Sequence, residues 1–436
     1  MAEGSELFAF VGHENPSILA AAARSGGAHA VGDVCDPAAV AAFARAHEID
    51  LAMVSADEPL QAGVVDALLA QGTRAVGPTS AGAEIEWNKA FARSLLAEVA
   101  PEACPLLHVV TSPAELEAAM DAFGERPVAV KPSGLTGGKG VKVMGPHLAD
   151  HAAARAYALE LLERCATGEC VLIEEKIEAP EFTIQAISDG HTVVFPNATY
   201  DYPYRYDGDT GPGTGGMGSL SLAQPTLPFM TPAQYEQACS IIERVIERLG
   251  QLGRHFTGVM NSGFFATAEG VSVIEFNARF GDPECMNIMS LFDGDWTQTM
   301  ARICERRLTA ADVPLRDEAS LVLYLVSPDY ALRQGPPYEF ELDRAAIEAD
   351  GCGVHFSSAV GLGGDAYRTV GTSRAVALTS TAPTLEQARR AVSACAARIP
   401  VLEWRREVGD SAYLEALGGL GATAPTPGRA APIVQG

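Results

Sequence analysis

Three polar residues occupy alternate positions in one apolar run: Glu275, Asn277 and Arg279, set among Ile274, Phe276, Ala278 and Phe280. Successive side chains of a β-strand point to opposite faces. The spacing therefore predicts a strand over Val273 to Phe280, with the polar groups on one wall and the apolar residues behind it. A carboxylate beside a carboxamide oxygen is an oxygen-only pair suited to Mg²⁺, which keeps some of its water and takes further oxygens from phosphates. Mn²⁺ accepts the same donors. An arginine two residues on offers a planar fork to a carboxylate or a phosphate. Taken alone, the pattern equally describes an edge strand with one solvated face.

A second stretch has the composition of a polyphosphate cover. Glycines at 134, 137, 138 and 140 lie with Lys131 and Lys139 between the apolar run Pro127-Val130 and a second strand-like run, Val141-Lys142-Val143. Bare N–H groups and ammonium groups in such a hairpin can close over phosphate oxygens. It is not a P-loop, because the residue after Lys139 is glycine and a strand follows where a helix would be needed. A glycine hairpin without a ligand stays open as the other reading. Lys89, in Asn88-Lys89-Ala90-Phe91, reads by itself as a solvated helix lysine. Further on, Glu174, Glu175, Lys176 and Ile177 end an apolar run and Glu181 opens the next, a setting with backbone groups for adenine and a carboxylate for ribose. The stretch from Tyr200 to Ser219 is rich in glycine and tyrosine and reads as an ordered, irregular loop lining a ligand.

The elements that must hold these residues follow from periodicity. Short apolar runs at Leu7-Val11, His29-Val34, Leu51-Val54 and Arg74-Val76 alternate with Ala-rich helical segments, which predicts an N-terminal parallel α/β domain over residues 1–86. Helices are expected over Ala83 to Val99, Ala152 to Ala166 and Thr384 to Arg398. Strands resume at Leu321-Leu325, and the Ala-, Pro- and Gly-rich tail 418–436 is expected to be disordered. The 436 residues are 47% hydrophobic and 20% charged, enough to bury a substantial core. A net charge of −24 excludes nucleic acid and anionic membrane as partners, since no basic stripe offsets the repulsion. Nine cysteines without C-x-x-C spacing and a start without a basic, then apolar, leader point to a reducing, cytoplasmic setting.

Six ordered motifs now carry a resemblance: Asn88-Lys89-Ala90-Phe91, the Lys131 to Gly140 hairpin, Ile173-Glu174-Glu175, Gly208-Asp209-Thr210-Gly211-Pro212, Thr214-Gly215-Gly216-Met217-Gly218, and Glu275 through Glu284. In order and spacing the chain resembles the phosphoribosylamine–glycine ligases of the ATP-grasp superfamily. The resemblance implies an α/β and α+β chain with the ATP-grasp fold: the N-terminal domain, an ATP-grasp domain over 87–315 with a lid at about 122–188, and a C-terminal α/β domain over 316–417. It implies ATP and Mg²⁺ as cofactors, a small carboxylate such as glycine as acyl donor, and a small-molecule amine. Lys89 and Lys131 would hold phosphate oxygens, with Gly137, Gly138, Lys139 and Gly140 covering them. The backbone of Glu174, Glu175, Lys176 and Ile177 would take adenine, Glu181 ribose, and Glu275 and Asn277 the metal. Arg279, Asp209 and the backbone of Gly216 and Met217 would hold the carboxylate and its acyl phosphate. In that family ATP phosphorylates the carboxylate of glycine, and the amine then displaces phosphate.

Departures from the family pattern gather on the amine side. Where the family has a glycine run and Arg-Glu-His, this chain has Gly12-His13-Glu14-Asn15-Pro16; where it has Lys-Arg after an aspartate, Asp201-Tyr202 is followed by Pro203-Tyr204, with Arg205 nearby. A Gly-Gly-Arg becomes Gly371-Thr372-Ser373-Arg374. Each lost charge-assisted bond weakens a phosphate site by about 1.5–3 kcal/mol. The expectation is a ligase with an altered, less anionic or aromatic amine in a specialised pathway. Its alternatives are the ordinary purine-pathway ligase and a nucleotide-binding regulator without catalysis.

Overall fold

The computed structural model describes residues 4–134, 140–165 and 170–421. In the N-terminal part, parallel pairing joins Ala9–Val11 to His29–Val31 and Leu51–Met53 to Arg74–Val76, with helices between them. Two of those helices begin with proline after a side-chain cap, Asn15 before Pro16–Ser25 and Asp36 before Pro37–Ala46. A proline at that position lacks only an N–H that no helix carbonyl could accept.

The centre is a nine-stranded sheet. Its main path runs Gly270–Asn277, Gly258–Thr267, Glu181–Ser188, Thr199–Asp201, Gly218–Ser221, Ala319–Val326, Arg374–Ala382, Gly353–Phe356. Of the strands from Ala319 onward, Ala319–Val326, Arg374–Ala382 and Gly353–Phe356 join the central sheet. Glu339–Glu341, Ala366–Thr369 and Ala359–Gly363 form a three-stranded sheet of their own within the residues expected to make a C-terminal α/β domain, 316–417. Every residue of Ala319–Val326 is buried, as a strand covered on both faces must be. The long helix Pro232–Gln251, opened by a capping box between Thr231 and Gln234, packs Ile241, Ile242, Val245, Ile246 and Leu249 into the same core.

A separate four-stranded sheet, ordered Leu107–Val110, Val171–Glu175, Val128–Pro132, Lys142–Val143, carries helices Pro113–Phe123 and His151–Arg164. It begins before the expected lid start at 122 and ends at Glu175, since Glu181–Ser188 belongs to the central sheet. Period-two alternation divides its middle strand. Val171 and Ile173 enter a core shared with Val128, Val130, Leu116, Met120 and Phe123, while Leu172 and Glu174 face the main body.

Three expected elements differ. The helix foreseen over Ala83 to Val99 is two helices, Ser80–Trp87 and Lys89–Val99, because the Asn88 side chain caps the second by accepting from Phe91 N at 3.0 Å. Tyr200 to Ser219, expected to lack regular structure, contains short strands; Tyr204–Tyr206 pairs with Thr210–Gly213 across a turn where Gly208 has φ 68° and Asp209 φ 52°. Residues 418–421, assigned to the tail, end the helix Ser411–Gly421, and residues 422–436 lie outside the described residues.

Candidate active site

The metal pair stands at the end of the strand Gly270–Asn277. That strand stops three residues before the expected Phe280, and its alternation breaks at a bulge: Gly263 faces Glu275, Phe264 faces Val273, and Ile274 is left between. Ile274 therefore lines the same cavity as Glu275 and Asn277, although strict alternation would turn it to the core with Phe276. Arg279, past the strand, still reaches Asn277 Oδ1 at 3.4 Å, and it pairs with the buried Glu86 at 3.1 Å. Glu86 also accepts the Ala278 N–H at 2.7 Å. Burial, only partly offset by Arg279, pushes its carboxyl up to about 7.

The Glu275 carboxylate and Asn277 carboxamide have the oxygen chemistry Mg²⁺ requires. The Asn277 amide here gives Nδ2 to Glu275 Oε1 at 3.2 Å, while its Oδ1 accepts a long bond from Arg279 at 3.4 Å. The donor set fits a metal whose remaining ligands are phosphates and water.

Opposite stand the cations. Lys89 opens its helix, and its Nζ donates to Gly134 O at 2.9 Å at the base of the glycine hairpin. Burial lowers its pKa, opposed by the charge of Glu275. Lys131 pairs with Glu174 at 2.6 Å, and Arg93 grips the same carboxylate at 2.7 and 2.9 Å. Burial alone would raise the Glu174 carboxyl, but Arg93 and Lys131 outweigh it and hold the group at about 2. Arg93 also donates to Val273 O at 3.0 Å and Ile274 O at 2.7 Å, tying the lid strand to the bulge. Sequence reasoning missed Arg93; its spacing of four from Lys89 places both on one helix face.

On the side of the metal pair lies a cavity of about 140 Å³ lined by Glu181, Asp201, Asn261, Glu275, Asn277 and Glu284, among others, while Lys89, Lys131 and Arg279 are not in its lining. Glu181 stays open to the cleft, yet the protein packed round it and the charge of Glu275 push its carboxyl up to about 7. Burial, then the charge of Glu284, raises Asp201 well above the usual carboxylate range, and burial raises Glu284 too. Asp201 and Glu284 were not among the expected site residues. Neither were Arg374 and Tyr324, which fasten Asp282 at 2.7 and 2.8 Å. Arg374 also holds the carbonyls of Gly215 and Gly216, fixing the Gly215-Gly216-Met217 turn against Gly281–Glu284.

That turn contributes shape. The N–H groups of Gly215, Gly216 and Met217 are taken by Tyr330 Oη, Thr214 Oγ1 and Tyr202 O, and the Met217 side chain is wholly buried. At Gly216, with φ 100°, an added Cβ would lie 2.5 Å from Asp201 Oδ1 and 2.7 Å from Pro283 Cδ. Asp209 is not in the cavity lining; Arg405 and Tyr413 hold its carboxylate at 2.9 and 2.7 Å. At the adenine segment, Glu175 N and Lys176 N donate to Leu106 O and Pro127 O at 2.9 and 2.8 Å, so those two N–H groups are spent within the protein. Ile177 follows directly. Gly140 O accepts from Tyr157 Oη at 2.8 Å, while Gly137, Gly138 and Lys139 lie outside the described residues.

A second cavity, of about 300 Å³, lies across the Gly281–Glu284 turn and is lined by His13, Asn15, Asp282, Tyr324, His355 and Ser357, among others. Of the departing loop Gly12–Pro16, His13 and Asn15 line this cavity, while Glu14 is exposed and absent from the lining. Tyr202 is fully buried, bonded to Gly409 N at 2.9 Å and packed against Tyr200 and Tyr413.

A cleft between a lid sheet and a larger antiparallel sheet, with lysines on one wall and an oxygen metal pair on the other, defines an ATP-grasp ligase. Residues 87–285 match the phosphoribosylglycinamide synthetase ATP-grasp (A) domain and residues 5–86 the N domain of the same synthetase. A phosphoribosylamine–glycine ligase of Thermococcus kodakarensis is 38% identical over 394 residues, covering 90% of this chain and 88% of the relative. One from Methanopyrus kandleri is 39% identical over 392 residues, covering 89% and 86%. The crystal structure of such a ligase from Thermotoga maritima superposes with a TM-score of 0.72 at 19% identity, covering 92% of this chain and 100% of that one, and shows the shared fold. The chain belongs to the phosphoribosylglycinamide synthetase family, whose enzymes are ATP-grasp carbon–nitrogen ligases.

Proposed function

We propose that this chain joins glycine to phosphoribosylamine, converting ATP to ADP and phosphate. The reading is carried by the convergence of Glu181, Glu275, Asn277 and the Asp201–Glu284 carboxylates on one cavity. Its support is a family whose relatives bear that activity in their names over about nine-tenths of this chain.

ATP supplies the phosphoryl group, and Mg²⁺ offsets charge on its phosphates. Glu275 and Asn277 hold the metal, while Lys89 and Lys131 neutralise phosphate oxygens from the facing wall. When Lys131 turns to phosphate, Arg93 keeps Glu174 paired, so no buried charge is stranded. Arg279 offers its fork to the donor carboxylate and to the phosphoryl group transferred to it. The amine nitrogen then attacks the carbonyl carbon, the C–N bond forms, phosphate leaves and the nitrogen gives up a proton. Positioning and charge supply the rate, with no covalent help from the protein. The amine enters from the second cavity, which Gly281, Asp282 and Pro283 line, next in sequence to Glu284 of the first.

An altered amine has less support. Its case rested on basic residues replaced at Gly12–Pro16, Pro203-Tyr204 and Gly371–Arg374, whereas relatives 38–39% identical over about nine-tenths of the chain bear the ordinary activity in their names. Turnover with freshly generated phosphoribosylamine tests the reading. A specificity constant of about 10⁴ M⁻¹s⁻¹ or more is expected. A value below about 10² M⁻¹s⁻¹, with a neutral amine faster, would restore the altered-amine reading.

A further inference from the structure

The aspartate of the Gly208-Asp209-Thr210-Gly211-Pro212 motif is turned away from the catalytic cavity and toward the C-terminal part of the chain. Asp209 has a left-handed backbone at φ 52°, which a residue other than glycine keeps only where its surroundings enforce it. Arg405 Nη2 donates to its Oδ1 at 2.9 Å, and Tyr413 Oη donates to its Oδ2 at 2.7 Å. The Arg405 side chain has no exposed surface. Its guanidinium carbon lies over the rings of Tyr202 and Tyr413, 5.0 and 5.5 Å from their centres, and its Nη1 donates to Tyr204 O at 3.3 Å. Arg405 also pairs with Glu407, which accepts the Gly208 N–H at 2.9 Å and gives its own N–H to Asp207 Oδ1 at 3.0 Å. Arg205, the only basic residue between Asp201 and Gly213, is buried too and pairs with Glu403. Glu403 in turn exchanges two backbone hydrogen bonds of 2.9 Å with Val326, which fixes this segment to the central sheet.

What this clasp holds is a wall of the reaction cavity. The hairpin of Tyr204–Tyr206 and Thr210–Gly213 joins that wall at both ends. Before it, Asp201 and Pro203 line the cavity. After it, Thr214 gives its N–H and its hydroxyl to Pro203 O at 2.7 and 2.9 Å, and a Cβ added at Gly216 would lie 2.5 Å from Asp201 Oδ1. A shift of the hairpin therefore moves both ends together. We propose that Arg405 is a positioning residue for the reaction: through Asp209 it holds the hairpin, and through the hairpin it holds Asp201, Pro203 and the Gly215–Met217 turn. The motif aspartate then serves the site without touching substrate. The proposal rests on this cavity being where the reaction occurs, and it adds to the machinery a C-terminal segment, 403–413, that lies outside the cavity lining.

A guanidinium serves Asp209, Glu407 and the Tyr204 carbonyl at once because its donors form a rigid planar fork, which an ammonium on a flexible stem does not reproduce. Arg405→Lys thus removes the geometry and keeps the buried positive charge. In the full chain carrying Arg405→Lys, amide exchange at Thr214, Gly216 and Met217 should speed up on the order of tenfold or more, with the lid strand Val171–Glu175 unchanged. Turnover with Mg-ATP and freshly generated phosphoribosylamine should show kcat/KM for glycine lowered on the order of 10- to 100-fold, as misplacement of a site from a distance does. The KM for Mg-ATP should stay in place, since Lys89 and Lys131 stand on elements that the clasp does not touch. Asp209→Asn keeps an acceptor for Arg405 and removes the charge; it should act the same way, and either variant suffices if the other does not fold. The double variant should lose little beyond either single one, because both changes break one contact.

Unchanged exchange at the Gly215–Met217 turn would overturn the proposal. A lowered melting temperature with kcat and the KM for glycine unchanged would overturn it too, being the mark of a contact that serves the fold alone. Losses that multiply in the double variant, or a loss confined to Asp209→Asn, would put Asp209 on the substrate and contradict its positioning role. If the unmodified protein does not use glycine, the proposed reaction fails, and the exchange comparison by itself decides whether the clasp holds the turn.

Discussion

Glu174 is the residue on which the cation wall depends. It is 2% exposed and holds both Arg93 and Lys131, so Glu174→Gln leaves two cations facing a neutral amide. Breaking such a buried network costs about 3–5 kcal/mol, which a denaturant titration should show as a matching fall in unfolding free energy. Glu275→Gln tests the metal pair: ADP formation should drop about a hundredfold or more while the melting temperature stays near that of the unmodified protein, because Glu275 is exposed to the cleft. Unchanged turnover at ordinary Mg²⁺ would remove Glu275 from the site. Glu86 makes stability depend on pH. Its carboxyl is raised from 4.5 to about 7, so the folded chain binds a proton that the unfolded chain releases. This contribution is fully present below about pH 4.5 and is lost as pH rises through about 7. Between pH 5 and 8 the unmodified protein should therefore lose more stability than Glu86→Gln. Glu275, Asn277 and Lys131 were legible because strand spacing and glycine context announce them. Asp201, Glu284 and Arg374 were not, since each acquires meaning only when separate stretches of chain meet.

At the scale of elements, sequence periodicity identified most strands but not their interruptions. The bulge at Ile274 has no sequence signature in a run of apolar residues, yet it turns Ile274 into the cavity and presents carbonyl oxygens to Arg93. The break at Asn88 could have been read, because asparagine favours the cap position and is followed by a helix with Lys89 at its start. Tyr200 to Ser219 misled for a different reason. Its glycines disfavour long strands, but at Gly208 and Gly211 they supply the positive φ that a short hairpin requires. The glycine hairpin carries its own prediction. Lys89 already holds Gly134, and Lys131, three residues earlier, pairs with Glu174. Adding Mg-ATP should slow amide exchange at Ser133, Gly134 and Gly140 to Val143 by about tenfold or more, if these segments close over phosphate. Unchanged exchange there would mean that the hairpin takes no part in nucleotide binding.

For the whole molecule, the central sheet explains why the C-terminal strands matter to a site built mostly upstream. Arg374 lies on a strand two places from Gly218–Ser221, and from there it fixes both the Gly215–Met217 turn and Asp282. The parallel N-terminal part and the two-sheet cleft were readable from alternating runs and ordered motifs. The joining of three C-terminal strands, Ala319–Val326, Arg374–Ala382 and Gly353–Phe356, to the central sheet was not, because strand order is decided by long-range pairing that local pattern does not encode. No helix among the described residues is long and apolar enough to cross a membrane. The proposed reaction turns on phosphorylation of the donor carboxylate by ATP before the amine attacks. Glycine labelled with ¹⁸O in its carboxylate, turned over with Mg-ATP and freshly generated phosphoribosylamine, tests this most directly. Transfer of one labelled oxygen to each inorganic phosphate released is expected; unlabelled phosphate, the product of water attacking ATP, would contradict it.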